Sequence, residues 1–327
     1  MPHTESFADP VLENHWLVAA MSADVKNKPV KIKVLGEDVV LWRSLSGLRA
    51  FRDLCIHRGT ALSLGSVQDG ELICPYHGWR YDDTGQCIHI PAQPELAVPT
   101  KAKATTYRVK EAYGLIWVCL GEPSADLPQH PEFSEGFRTI ICGPYTVSAE
   151  APRVIENFLD VSHLMWVHEG YLGVPSHAVI PDYRVLEENG KLITDTIRIF
   201  QPDPDGRGRV VNNDYVYEVL APLSARFRKT DDGSSDTFAM MIHATPNAHK
   251  RTTAYALLSR NYAFDTPDDT FRDFQDTVFA QDERILASQR PEQLPLDLAA
   301  ELHIKSDRLA IAYRSYLRDK GVRVGVA

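Results

Sequence analysis

Cys55-Ile56-His57 and, further on, Cys74-Pro75-Tyr76-His77 are the residues best placed to do chemistry in this chain. The order Cys-x-His…Cys-x-x-His offers two thiolates and two imidazoles. That donor set suits a [2Fe–2S] centre in which two histidines replace two cysteines on one iron, which raises its potential above that of an all-cysteine cluster. The same four residues could also hold a structural zinc ion in tetrahedral geometry.

A second constellation follows at Asn157-Phe-Leu-Asp160-Val-Ser-His163-Leu-Met-Trp-Val-His168. Two histidines and a carboxylate with open coordination positions make the facial triad of non-haem Fe(II) sites. Taken singly, each histidine reads better as a hydrogen-bonded core residue, and only as a set do they read as ligands. On a regular helix His163 and His168 would diverge by about 140°, so any helix through them must end or distort. The carboxylate has to come from elsewhere. On the last long helical stretch Phe271, Phe274, Val278, Ile285 and Leu286 define an apolar face, and Asp282 falls within about 20° of its centre. An ionised carboxylate facing a core is disfavoured without a partner. Either a metal or an arginine would resolve that conflict.

Around these residues the sequence shows how they are positioned. Val30–Val34, Val39–Arg43 and Leu48–Arg52 read as short strands separated by turns, and residues 114–120 form a buried apolar run. Both Cys/His pairs fall in loops that leave strands. Residues 121–131 are rich in proline, which neither a helix interior nor a central strand accepts. The expected division is therefore 1–122 and 123–327. In the second part residues 152–165 have a helical apolar flank. Strand-like segments follow at 191–200, 213–220, 225–229, 237–244 and 252–262. A final long helix starts near Thr266-Pro267-Asp268-Asp269, an acidic helix start. The expected class is α+β.

Composition sets limits. The length suits two domains, each with its own core. A net charge of -9 and the lack of a basic stripe argue against a nucleic-acid partner. Met1 to Trp16 is polar, with no apolar signal region, and the longest apolar run is too short to span a bilayer. Five cysteines do not suggest a disulfide framework. Cys87, Cys119 and Cys142 read as buried thiols. A cytoplasmic location is the expectation, with no membrane partner.

The run Cys55-Ile-His57-Arg58-Gly59 with Cys74-Pro-Tyr-His77-Gly78-Trp79 closely resembles the Rieske iron–sulfur motif, and Asp160-x-x-His163-x-x-x-x-His168 resembles the mononuclear-iron motif of Rieske oxygenases. Respiratory-type Rieske proteins carry an added disulfide where this chain has Thr60 and Tyr76, so the likeness is to the oxygenase type. Over nearly its whole length the chain is similar to the terminal oxygenase (α) subunit of Rieske non-haem iron oxygenases. Within that group it is most like the vanillate, dicamba and caffeine demethylases. The resemblance implies an N-terminal all-β Rieske domain and a C-terminal helix-grip catalytic domain, an antiparallel sheet covered by helices. It implies a [2Fe–2S] cluster on Cys55, His57, Cys74 and His77, and Fe(II) on His163, His168 and Asp282. Asp160 is implied to hydrogen-bond a ligand histidine and to reach the cluster of a neighbouring subunit in a homotrimer, with Asn157 near the iron.

The implied reaction uses O2, with electrons from NAD(P)H through a separate flavin/iron–sulfur reductase or ferredoxin. It hydroxylates or O-/N-demethylates a small aromatic substrate. Ring dihydroxylation or alkyl hydroxylation is the alternative within the family, and a plain Rieske electron carrier is the alternative outside it. Asn213, Tyr215, Met240, Met241 and His243 are candidates for the substrate pocket.

Overall fold

The structure, a computed structural model, describes residues 7–95 and 97–327. Met1 to Ser6 of the polar N-terminal segment lie outside the described residues. The chain folds as two compact units, one ending at Asp126 and the other beginning at Leu127.

The first unit is built of strands. They are β1 (Leu17–Met21), β2 (Val30–Val34), β3 (Glu37–Ser44), β4 (Gly47–Arg52), β5 (Ser66–Gln68), β6 (Glu71–Ile73), β7 (Arg80–Tyr81), β8 (Cys87–His89), β9 (Thr106–Ala112) and β10 (Leu115–Cys119). Six form an antiparallel sheet in the order β1-β10-β9-β4-β3-β2, and the short ones form a second sheet, β5-β6-β7-β8. Trp42 and Phe51 meet edge to face at 5.3 Å between them, and Leu62, Leu72 and Tyr81 close the core. Cys55 lies in the loop from β4 to β5, and Cys74 lies in the loop from β6 to β7. The short sheet therefore serves as a platform that carries the second metal-binding loop.

The second unit contains β11 (Arg138–Val147), α1 (Ala151–Leu159), β12 (Val185–Glu188), β13 (Lys191–Thr194), β14 (Ile197–Gln201), β15 (Val211–Ala221), β16 (Ser224–Asp231), β17 (Thr237–Ala248), β18 (Arg251–Arg260), α2 (Asp268–Ser288) and α3 (Arg308–Lys320). Its antiparallel sheet runs β11-β18-β17-β16-β15-β13-β12, with β14 also paired to β15. Strand alternation turns Tyr215 and Tyr217 of β15, Phe227 of β16 and Phe238 and Met240 of β17 toward one face. Helices α1 and α2 pack on that side of the sheet. This is the antiparallel sheet gripped by helices that the resemblance implies.

Three expectations change. The helix expected over 152–165 ends at Leu159, because Asp160 turns extended (φ -79°, ψ 121°) and its carboxylate accepts the Ser162 N–H at 2.7 Å. A separate 3-10 turn, Ser162–Met165, then carries His163. In α2, Ile285 faces solvent and Gln275 and Phe279 are buried instead, so the core-facing side is rotated from the one expected. The single strand expected over 191–200 is two, interrupted before Ile197.

Candidate metal centres

The two Cys/His loops share one backbone plan. Cys55 N–H bonds Thr60 O at 2.7 Å and Cys74 N–H bonds Trp79 O at 2.9 Å, while Gly59 and Gly78 N–H return to the Cys55 and Cys74 carbonyls at 2.9 and 3.1 Å. Each glycine sits four residues after its cysteine with φ near +70° (71° and 69°), the region a side chain resists. The loops place both cysteines inside and both imidazoles outside: Cys55 and Cys74 are 2% exposed, whereas His57 is half-buried and His77 exposed.

Donor chemistry at this site fits a metal cluster. None of the five cysteines is in a disulfide, and burial, with Cys55 beside it, pushes the Cys74 thiol up. A metal resolves that cost by replacing the proton with a cation. The Nδ1 atoms of His57 and His77 lie 3.2 Å apart. Two nitrogens on one ion at about 2.1 Å and a near-tetrahedral angle would be about 3.4 Å apart. Trp79 stacks on His57 at 4.4 Å and 8°, which fixes the ring plane. The Tyr81 hydroxyl, wholly buried, contacts Cys55 Sγ at 3.1 Å.

The second site joins three elements. His163 comes from the 3-10 turn, His168 from the turn after it, and Asp282 from the penultimate turns of α2. The Nε2 atoms of His163 and His168 are 3.2 Å apart, and Asp282 Oδ1 is 3.5 Å from the first and 3.1 Å from the second. These three edges form a compact triangle open on one side, the shape expected of a facial triad. Among the described residues no other group of three such side chains converges within 4.8 Å.

Neighbouring side chains orient the triangle. His168 Nδ1 meets Gln281 Oε1 at 2.7 Å. An amide oxygen can only accept, so Nδ1 carries the proton and Nε2 keeps its lone pair toward Asp282. Asn157 donates from Nδ2 to Asp282 Oδ1 at 3.4 Å. Asp160 Oδ2 stands 3.6 Å from His163 Nδ1. Burial works against a charged His163, but Asp160 and Asp282 outweigh it and raise its pKa. Burial likewise opposes the Asp160 carboxylate, and His163 with the Ser162 N–H holds it below its usual range.

The triangle sits beside a cavity lined by Phe158, Tyr217, Phe227, Met240, Val278 and Phe279, among others, an apolar wall with a few polar groups of the kind that small-molecule sites use. Of the pocket candidates named from sequence, Tyr215 and Met240 line it. Asn213 is buried against Gln201 (2.8 Å), Met241 points to the far face of the sheet, and His243 is buried against Ser224 Oγ at 2.7 Å. Sequence reading missed Gln281, Lys229 and Gln275. For Lys229 a signal existed, since it shares strand parity with Phe227 and must face inward. Gln281 had none, as only folding brings it to His168.

The family description "Rieske [2Fe-2S] domain" matches residues 15–102, and "Vanillate O-demethylase oxygenase C-terminal domain" matches residues 147–321. Methylxanthine N1-demethylase NdmA of Pseudomonas putida is 33% identical over 297 residues, covering 89% of this chain and 82% of the relative. The solved structure of Pseudomonas putida CBB5 NdmA with caffeine superposes with a TM-score of 0.84 at 29% identity, over 94% of this chain and 90% of that one. Dicamba monooxygenase bound to dicamba has a TM-score of 0.82 at 22% identity, over 96% and 98% of the two chains, a likeness of fold.

A strand-built cluster domain ahead of a helix-gripped sheet with an open His/His/Asp triangle defines an oxygen-using iron oxidoreductase. The chain belongs to the Rieske non-haem iron oxygenases, as their terminal oxygenase (α) component. Its cofactors are a Rieske [2Fe–2S] cluster and a mononuclear iron, and it works on a small molecule with a separate reductase or ferredoxin. Among the described residues no helix is long and apolar enough to cross a membrane.

Proposed function

We propose that this oxygenase removes an O- or N-methyl group from a small planar aromatic substrate. In this reading the mononuclear iron is held by His163, His168 and Asp282, and the cluster by Cys55, His57, Cys74 and His77. The observation that carries the reading is the convergence of the three donor atoms on the wall of an aromatic-lined cavity. When bound, the mononuclear iron supplies O2 activation and the cluster supplies electrons singly.

The protein's own residues do the rest. Gln281 fixes the tautomer of His168, and Asn157 holds the Asp282 carboxylate. Phe158 and Phe227, stacked at 5.3 Å, with Tyr217 beside them, form a dry wall that favours a flat apolar ring. Asp160 positions His163 and, in a ring of three copies, connects it to the cluster histidines of the next copy. A substrate methyl carbon facing the triad gains one oxygen atom of O2, while the second leaves as water with two electrons and two protons. The resulting hemiacetal or hemiaminal breaks its carbon–heteroatom bond and releases formaldehyde. Relatives named as an N1-demethylase of methylxanthines and as a vanillate O-demethylase support this choice of chemistry.

The test combines metal content and product. Protein purified without oxygen is expected to carry about three irons per chain. With NAD(P)H and a reductase it should release formaldehyde from members of a panel of methoxylated and N-methylated aromatics. Hydroxylated product without formaldehyde would move the assignment to ring or alkyl hydroxylation. Two irons per chain and no turnover would indicate an electron carrier.

A further inference from the structure

One part of the cavity is not apolar. Lys229 on β16 stands in register between Tyr215 on β15 and Phe238 on β17. Its ammonium lies 5.7 and 4.6 Å from their ring centroids. The residue is 4% exposed. Among the described residues the ammonium's one hydrogen bond is to the Pro204 carbonyl at 2.8 Å, and no carboxylate comes within 4.0 Å.

Asp205, Asp231 and Asp203 act on Lys229 through space, and each has a partner of its own; Asp203 accepts the Gly208 N–H at 2.8 Å. Asp205 binds Arg207 at 2.6 Å and the Tyr262 hydroxyl at 2.8 Å, and Asp231 binds Arg209 at 2.9 Å. Of the three ammonium hydrogens, two have no acceptor among the described residues. Burial pushes Lys229 down to about 8, with Asp205 and Asp231 working against that fall, so the cation persists at neutral pH.

Gln275 on α2 lines the same cavity and is 7% exposed. Its amide has no hydrogen-bond partner among the described residues. It precedes Asp282 by seven residues on the same helix, about two turns or roughly 10 Å along the axis. A buried cation with no carboxylate in direct contact, and an amide that opens onto the cavity, both gain from a ligand that brings the matching group.

We propose that Lys229 and Gln275 form an acid-recognising end of the cavity, which takes the carboxylate of an aromatic substrate and so points its opposite methyl group at His163, His168 and Asp282. The inference rests on the reading that this cavity is the substrate site. It assigns specificity to two residues and narrows the substrate to aromatic acids, with a para-substituted benzoate of suitable length.

The experiment measures binding to the iron-loaded oxygenase without oxygen, by calorimetric titration with 4-methoxybenzoate and with its methyl ester. The acid should bind at least about tenfold tighter than the ester, the worth of charge-assisted hydrogen bonding. Lys229→Met should bring the ratio of the two Kd values close to one, and Gln275→Leu should reduce it several-fold. The unaltered protein tests the idea even where a variant fails to fold, and retained cluster absorption certifies each variant. Equal binding of acid and ester, tighter ester binding, no binding of either, or a preference that survives Lys229→Met would each overturn the inference. Formaldehyde from the ester together with equal binding removes the acid clamp and leaves demethylation standing. A tenfold acid preference without formaldehyde from either compound does the reverse.

Discussion

Asp282 accepts from the Asn157 amide, and its sequence neighbour Gln281 accepts from His168 Nδ1. Asp282→Ala is expected to cost the mononuclear iron and spare the cluster, so iron analysis should fall from about three to about two per chain while the visible spectrum persists. Gln281→Leu leaves the triangle intact but frees the His168 tautomer. Iron affinity should drop about 10–100-fold, read by competition with a ferrous chelator. With Cys55 held as a cluster thiolate, the Tyr81 hydroxyl 3.1 Å away is the member of the pair with a proton to donate, and it would favour the more negative, reduced state. Tyr81→Phe should lower the reduction potential. Loss of about 1 kcal/mol of differential stabilisation corresponds to about 40 mV for one electron, a shift that redox titration resolves. The Cys and His candidates stand out in the sequence because their types are rare and their spacing is short, whereas Asp282 had to be picked from the pattern of a helix. Gln281 and Tyr81 were not legible, since their partners lie far away along the chain.

At the scale of elements, α1 is stapled to α3 by charge. Glu156 on α1 binds Arg314 on α3 at 2.5 and 3.0 Å, and Glu301 bridges Arg314 (2.6 Å) and Arg153 (3.0 Å). Arg314 is 3% exposed. Arg314→Met leaves Glu156 with Arg153 alone, at 3.4 Å, and should cost up to about 3 kcal/mol of stability, measured by urea unfolding, and it loosens the helix that carries Asn157. The same cluster sets a pH dependence. Burial raises the Glu301 pKa, but Arg314 and Arg153 outweigh it and hold it below the usual 4.5. A lowered folded-state pKa gives stability that is complete above about 4.5 and is lost as pH falls toward the folded value. Glu301→Gln should therefore flatten the acid limb of the stability profile below about pH 4.5 and leave its slope between pH 5 and pH 7 unchanged. Most of the sheet was readable from alternation. The hairpin signals Asp69-Gly70 and Asn189-Gly190 were present but unused, and in the structure both pairs have positive φ (54° and 77°; 52° and 73°) and join consecutive strands. The end of α1 could not be read, because the apolar flank continues past Leu159 while the Asp160 carboxylate captures the next backbone N–H.

For the whole molecule, two iron sites of unlike accessibility are expected to respond differently to a ferrous chelator. The mononuclear triangle borders a cavity and offers one carboxylate and two imidazoles, whereas the cluster has its cysteines sealed in a core. Chelation should remove about one iron per chain and abolish turnover with the cluster spectrum unchanged, and added Fe(II) should restore activity. The two-unit organisation was readable from the proline-rich connector and the change in element type around it. Which residues face the cavity was not, since that depends on how α2 is rotated against the sheet.

That rotation gives α2 an unusual property. The rod that carries Asp282 also presents Gln275, Val278 and Phe279 to the cavity, so it works as a ruler graduated in turns from the metal. Exchanging residues at its far graduations can retune which molecule is admitted, and at what reach, without disturbing the mark at zero.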